Sequence, residues 1–255
     1  MSAELHLDRA RAGSFGTIAG QYDRYRPAPP AALIADLAGL RPATVLDVGC
    51  GTGKAAVALA RRGLSVLGVE VDERMAGVAR GHGIEVEVAA FESWDPAGRS
   101  FELLTCGDAW HWIEPAGGVA KAAEALAVGG TSARFWTLSQ VSAAVADVFE
   151  PVYRAHAPEV AQVWRPEAAA LVHAGGADLF AGSGAFGPAR VRSYPWERRL
   201  TTDEWVGAAA TVSDHQRLGP ARLAALSGAL RTAIDSLGGV IRLRQETYVL
   251  LNRRR

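Results

Sequence analysis

The residues with the clearest chemical reach are the glycines of Val45-Leu46-Asp47-Val48-Gly49-Cys50-Gly51-Thr52-Gly53-Lys54. An apolar run enters a glycine-rich turn and a helical pattern leaves it. Glycine lets the backbone approach a ligand closely, and the start of the helix offers unpaired N–H groups. Spacing separates the ligands that use such a turn. A P-loop reads G-x-x-x-x-G-K-[ST], but here Val48 stands where its first glycine belongs and Ala55 follows Lys54. A dinucleotide fingerprint reads G-x-G-x-x-G, but Lys54 takes its last position and leaves G-x-G-x-G. The first reading fails and the second, a nicotinamide oxidoreductase, is weak. Two acids stand at the ends of neighbouring apolar runs, Asp47 and Glu70. Either alone reads as a strand-end acid on a solvated rim; both in register with the turn read as ligand-facing groups.

Elements of two periods must position these residues. ATVLDVG, LSVLGVE, IEVEVAA, FELLTCG and TSARFWTL are short apolar runs of the kind that form buried parallel strands. Between them lie KAAVALARRG, DERMAGVARGHG with Asp72 as an acidic cap, and a helix from Pro115 through Val128 stopped by Gly129 and Gly130. The alternation predicts a Rossmann-like, doubly wound α/β sheet, mostly parallel. Two helices over about 14–25 and 30–39, separated by Pro27, Pro29 and Pro30, precede it. Over 138–185 the alternation lapses into one helix from Val141 to His156 and the Ala/Gly-rich ALVHAGGADLFAGSGAFG, whose second half reads as a helix followed by a loop. ARVRSYPWERRL and VIRLRQETYVLL read as late strands, the second placing Ile241 and Leu243 on one face and Arg242 and Arg244 on the other. Between them, Thr201 and Glu204 make a capping box, and Leu218, Leu223, Leu226, Leu230 and Ile234 trace a helix stripe. Seven strands are expected, the C-terminal one antiparallel. The expected division is a single domain over 1–255: a helical lid (1–40), a binding core (41–137), an insertion capping the substrate (138–190) and a C-terminal part completing the sheet (191–255).

Composition narrows the partners. The chain has 255 residues, 49% hydrophobic and 21% charged, with 27 basic against 27 acidic side chains. Zero net charge disfavours a polyanionic partner such as tRNA or duplex DNA. No apolar run reaches the length of a membrane span, and the N-terminus lacks the apolar core of a signal peptide. The two cysteines, Cys50 and Cys106, both fall in predicted core segments, which fits a reducing compartment. A cytoplasmic protein is the expectation. The histidines lack ligand-like spacing, so no metal site is expected.

VLDVGCGTG followed by a strand ending at Glu70 resembles motif I of class I S-adenosylmethionine (SAM)-dependent methyltransferases. SFGTIAGQYDRYRP resembles the N-terminal lid of their type 11 group, GDAWHWIEP its motif after the fourth strand, and RRLTTDEWVGAAATVSDHQRL its late helix and loop. The likeness implies SAM as cofactor and S-adenosylhomocysteine (SAH) as product. It implies that Gly49, Gly51 and Gly53 contact the methionine part, Glu70 the ribose, and Phe91 and Glu92 the adenine. Asp47, Cys50, Val71, Cys106 and Gly107 complete the expected cofactor set. Tyr22 and Arg26, four apart on a helix face, put Arg26 within reach of the cofactor carboxylate. Family members often carry an acid just before the adenine contact, where this chain has Ala89-Ala90.

Methyl transfer from a sulfonium is an in-line displacement in which the protein chiefly positions the acceptor, and a base is needed only where the acceptor must lose a proton. His111 is the best candidate base, or else a packed wall residue; His215 is a further candidate from the late loop. Asp108 and Glu114 read as caps. Trp110, Trp112 and Trp136 fall near strand ends, where they line an acceptor pocket or belong to the core. The reading is a small-molecule methyltransferase with oxygen, nitrogen or carbon as acceptor atom and an undetermined oligomeric state. The alternatives are a nucleic-acid or tRNA methyltransferase and a non-catalytic SAM-binding module.

Overall fold

The computed structural model describes residues 5–8, 11, 13–160 and 179–255. The N-terminal segment forms a short 3-10 turn at Phe15–Ile18, then helices α1 (Ala19–Tyr25) and α2 (Ala31–Gly39). Strands and helices then alternate: β1 (Thr44–Val48), α3 (Lys54–Ala60), β2 (Ser65–Glu70), α4 (Glu73–Gly81), β3 (Glu85–Val88), β4 (Phe101–Gly107), α5 (Pro115–Ala125) and β5 (Leu126–Gln140). Helices α6 (Ala143–His156) and α7 (Leu179–Gly182) follow, then β6 (Arg190–Thr201), α8 (Thr202–Ala210), α9 (Ser213–Gln216), α10 (Gly219–Ser236) and β7 (Val240–Arg253).

The strands form one sheet in the order β3-β2-β1-β4-β5-β7-β6. The first five strands are parallel, and β7 runs antiparallel to both of its neighbours. The chain moves outward from β1 to β3 and returns to β4, so the order reverses between β1 and β4. A crevice opens beyond the carboxyl ends of the strands at such a reversal. The outer strand β6 carries Pro195 and several charged residues, which blunt its unpaired edge.

Alternation along the strands feeds opposite layers. Leu46, Val48, Leu104 and Cys106 pack under α5 with Trp94, Phe101, Trp110, Phe180 and Phe186. Val45, Leu103, Phe135 and Val249 face Leu33, Ile34 and Leu37 of α2 and Leu59 of α3. Helices α6, α8 and α10 build a separate core against Leu200, Ile241 and Leu243. Each fully buried leucine contributes about 1.5–3 kcal/mol by leaving water.

Two expectations change. The helix expected to run through Val128 stops at Ala125, and β5 starts at Leu126. The pairing jumps from Phe101↔Leu126 to Leu103↔Thr131, so Gly129 and Gly130 sit in an irregularity of the strand instead of ending a helix. A Cβ on Gly130 would lie 2.9 Å from the Ala127 carbonyl oxygen, which explains glycine there. The helix expected from Val141 begins at Ala143, where the Ser142 hydroxyl accepts from the Val145 N–H. Within the stretch expected to cover the active-site face, α6 packs in the core shared with α8 and α10, and 161–178 lie outside the described residues. The first part of ALVHAGGADLFAGSGAFG lies outside the described residues; Leu179–Gly182 is helical, as its second half suggested. No helix among the described residues is long and apolar enough to cross a membrane.

Candidate active site

The turn after β1 needs glycine at two positions facing the crevice. Gly49 has φ +61° and Gly51 φ +55°, in the left-handed region that costs other residues strain. A Cβ on Gly49 would lie 2.7 Å from the Ala109 Cβ, so the turn and the end of β4 close on each other there. Gly53 caps α3 and packs toward Ala79, and it does not line the crevice.

Glu70, at the end of β2, is buried and locks this turn. Its Oε2 accepts from the Gly51 N–H at 2.8 Å and its Oε1 from the Asp72 N–H at 3.0 Å. Burial raises its pKa, against those backbone donors. Asp47 lies deeper, accepting from the Thr105 hydroxyl at 2.7 Å. Burial pushes it up to about 7, and the Glu70 charge adds to the rise.

Two contiguous cavities occupy the crevice, about 800 and 1200 Å³ counting their open mouths. The first is lined by Val71, Ala89, Ala90, Phe91 and Glu92 beside Glu70. The second runs past Asp47, Cys50 and Lys54 to Arg26, His111, Thr137, Ser139 and Gln245. Phe15, Tyr22, Gly49, Gly51, Gly107, Asp108 and Trp112 belong to both.

The N-terminal segment covers this space. Phe15 meets both Tyr22 and Trp112 edge-on, with ring centroids 5.9 Å apart in each pair. Arg11 lies over the Trp112 ring and donates to Ser213 Oγ at 2.8 Å and Asp214 Oδ1 at 2.6 Å, tying the lid to α9. Asp23 of α1 pairs with Lys54 at 3.1 Å and His82 at 2.8 Å, fastening the lid to α3 and α4. Arg26 does not continue the helix that carries Tyr22: Pro27 forces it extended, at φ −75° and ψ 138°. Its guanidinium still lies over the Tyr22 ring and donates to the Thr211 hydroxyl at 2.8 Å.

His111 lines the second cavity beside Trp112, and burial together with the Arg11 cation pushes its pKa down to about 4. Among the described residues its ring makes no hydrogen bond. His215 is not brought to the crevice. It is buried, with Nε2 2.9 Å from the Tyr153 hydroxyl, and burial holds it at about 4. Of the three tryptophans only Trp112 lines the cavities. Trp110 packs between Phe91 and Phe180, and Trp136 lies against the same cluster, because their strand and turn positions point to the α5 layer. Cys106 likewise faces that core, and burial raises both thiols far above their ordinary range.

Glu114 caps α5, accepting from the Ala116 and Gly117 N–H groups. Asp108 is not a helix cap. It takes φ +51° directly after β4, and its Oδ1 accepts from the Thr137 N–H at 3.1 Å. Its side chain lines the crevice, and desolvation there raises its pKa against the Arg26 charge. Its signal in the sequence was an acid directly behind the Gly107 that ends a strand. Phe15 and Ser213, which lie within the lid and late-loop motifs, and Thr137, Ser139 and Gln245, which carried none, also join the wall. No group of three or more potential metal ligands occurs among the described residues.

Residues 45–130 match the protein-family model described as "Methyltransferase domain". An uncharacterized methyltransferase of Mycobacterium tuberculosis is 33% identical over 126 residues, 48% of this chain and 51% of that protein. The ubiquinone biosynthesis O-methyltransferase of Acinetobacter baylyi is 32% identical over 111 residues, 40% of this chain and 46% of that protein. The chain therefore spans about half the length of the curated relatives it matches. Among solved structures, a candidate type II methyltransferase from Anaeromyxobacter dehalogenans superposes with TM-score 0.63 at 25% identity, covering 90% of this chain and 98% of that one. The chain shares the Rossmann-like methyltransferase fold of that structure. Residues 45–130 carry a methyltransferase domain.

Proposed function

We propose that this chain transfers the methyl group of SAM to a small-molecule acceptor. The observation that carries the reading is the buried Glu70 carboxylate, locked to the glycine turn and facing a crevice roofed by Phe15, Tyr22 and Trp112. The residues fit the cofactor. Gly49 and Gly51 leave backbone where a side chain would intrude, and Glu70 retains lone pairs for ribose hydroxyls beyond its two backbone donors. The wall from Val71 to Phe91 and Glu92 suits the adenine, and Arg26 the methionine carboxylate.

SAM supplies the methyl group already activated on a sulfonium, so the protein's part is positioning and exclusion of water. The lid supplies the exclusion, through the Arg11, Lys54 and His82 ties. His111 is neutral at physiological pH, and a pKa near 4 makes it a weak proton acceptor. Its role is to shape the wall beside Trp112. A small acceptor is favoured by the lid over the crevice and the zero net charge. The names of the ubiquinone biosynthesis O-methyltransferases among the relatives favour oxygen as the accepting atom.

Isothermal titration with SAM and SAH, with NAD and NADP as controls, tests the cofactor. Micromolar binding of the adenosyl ligands alone is expected. No heat from SAM or SAH together with binding of NAD would overturn the reading.

A further inference from the structure

The sheet face that bears Phe135 and Val249 changes character along β5 and β7. Cross-strand pairs on it run Phe135↔Val249, Thr137↔Thr247 and Ser139↔Gln245, and Ile241 and Leu243 follow on β7. The ends of this row belong to two apolar cores. The middle is polar, although Thr247 is 0% and Gln245 7% exposed. Burying such groups costs stability wherever a hydrogen bond is left unmade.

Most of the cluster is satisfied internally. Thr137 and Thr247 share a hydrogen bond at 2.9 Å, and the Trp196 indole donates to Thr247 Oγ1 at 3.1 Å. Gln245 Nε2 donates to Ser139 Oγ at 2.9 Å. Gln245 Oε1 has no hydrogen-bond partner among the described residues. Gln245, Ser139 and Thr137 line the second cavity, together with Trp112, Phe135, Pro27 and Val212. A buried amide with one satisfied end, on a stretch of cavity wall shared with Phe135, Trp112 and Val212, is the arrangement of a ligand-reading group.

We infer that Gln245, held by Ser139, is the specificity-determining residue of the acceptor subsite and reads a hydroxyl on an uncharged, largely apolar acceptor. The inference rests on the methyl-transfer reading above. A hydroxyl satisfies Gln245 in either orientation of its amide, because it both donates and accepts. With Nε2 engaged by Ser139, a carboxylate would set oxygen against Oε1. The aromatic and proline walls suit an apolar frame around the hydroxyl.

The test uses the full chain saturated with SAH and two probe pairs that exchange hydroxyl for methyl: phenol with toluene, and 2-naphthol with 2-methylnaphthalene. Binding is read by ligand-observed NMR, with 2-naphthoate as the charged comparison. The hydroxyl member is expected to bind about fivefold or more tighter in the wild type, within the range of one neutral hydrogen bond. Gln245→Leu should shrink that preference to about twofold or less, leave the methyl member unweakened and keep SAH affinity unchanged. Ser139→Ala, a milder change, should reduce the preference part of the way. Absence of a hydroxyl preference in both wild-type pairs, a preference unchanged in both variants, or tighter binding of the naphthoate would each overturn the inference. Failure of the cofactor reading is separable. If SAH does not bind, the pairs are run on the free chain, where a Gln245-dependent preference would keep the subsite and remove methyl transfer.

Discussion

Glu70 accepts the Gly51 N–H at 2.8 Å, so the last residue of β2 fixes the conformation of the glycine turn that follows β1. In the proposed function the carboxylate has two duties, one toward the turn and one toward the ligand. Glu70→Ala should lower SAH affinity by about tenfold to a hundredfold, because it removes a charge-assisted acceptor and leaves the Gly51 and Asp72 N–H groups without their partner. Glu70→Gln keeps one acceptor oxygen and should lie between. Titration calorimetry with SAH decides; wild-type affinity in Glu70→Ala would rule out the ribose role.

Gly51 has room for a Cβ, the nearest atom being Met75 Cε at 3.5 Å, but its φ of +55° does not suit a β-branched residue. Gly51→Val should therefore cost about 1–2 kcal/mol in strain and abolish measurable SAH binding by putting methyls into the cavity. Thermal melts with and without SAH check both parts. A variant still stabilised by SAH as strongly as wild type would place the cofactor elsewhere.

His111 should titrate near pH 4, since burial and the Arg11 cation both disfavour its charged form. The imidazole NMR signal should show no midpoint near the ordinary value of about 6.5. Arg11→Gln, which removes the cation, should move the midpoint upward. His111→Ala should leave SAH affinity within about twofold. A wild-type midpoint above about 6 would restore His111 as a candidate base.

Asp47 sets a pH dependence of stability. Its folded pKa of about 7 lies above the unfolded value, so the native state keeps a proton that the unfolded chain releases. Stability contributed by the protonated form is complete below about pH 4 and is lost as pH rises toward 7, by roughly 4 kcal/mol. Asp47→Asn removes this slope while its amide oxygen still accepts from Thr105. Urea melts of the ligand-free chain at several pH values should show the variant gaining on wild type between about pH 4 and 7. Parallel curves would mean that Asp47 is not the titrating group.

Local pattern was enough for the alternating elements, the glycine turn and the acids at Asp47 and Glu70. A strand period, a cap or a left-handed glycine depends on neighbours within a few residues, and these are written consecutively in the chain. The family likeness of VLDVGCGTG was legible for the same reason. Other assignments depended on contacts that only folding creates. Trp110 and Trp112 are two residues apart in GDAWHWIEP, yet one faces the core and the other the cavity, according to which way the turn after β4 projects each ring. His215 was a candidate base until Tyr153, 62 positions earlier, closed over it. Gln245 was passed over because it continues the face of Ile241 and Leu243 as an isolated polar residue. It acquires a partner only when the antiparallel register sets it opposite Ser139, 106 positions away. The elements that build the crevice follow from short-range sequence, whereas the wall that carries Gln245 is set by pairing between distant strands, which no local pattern encodes.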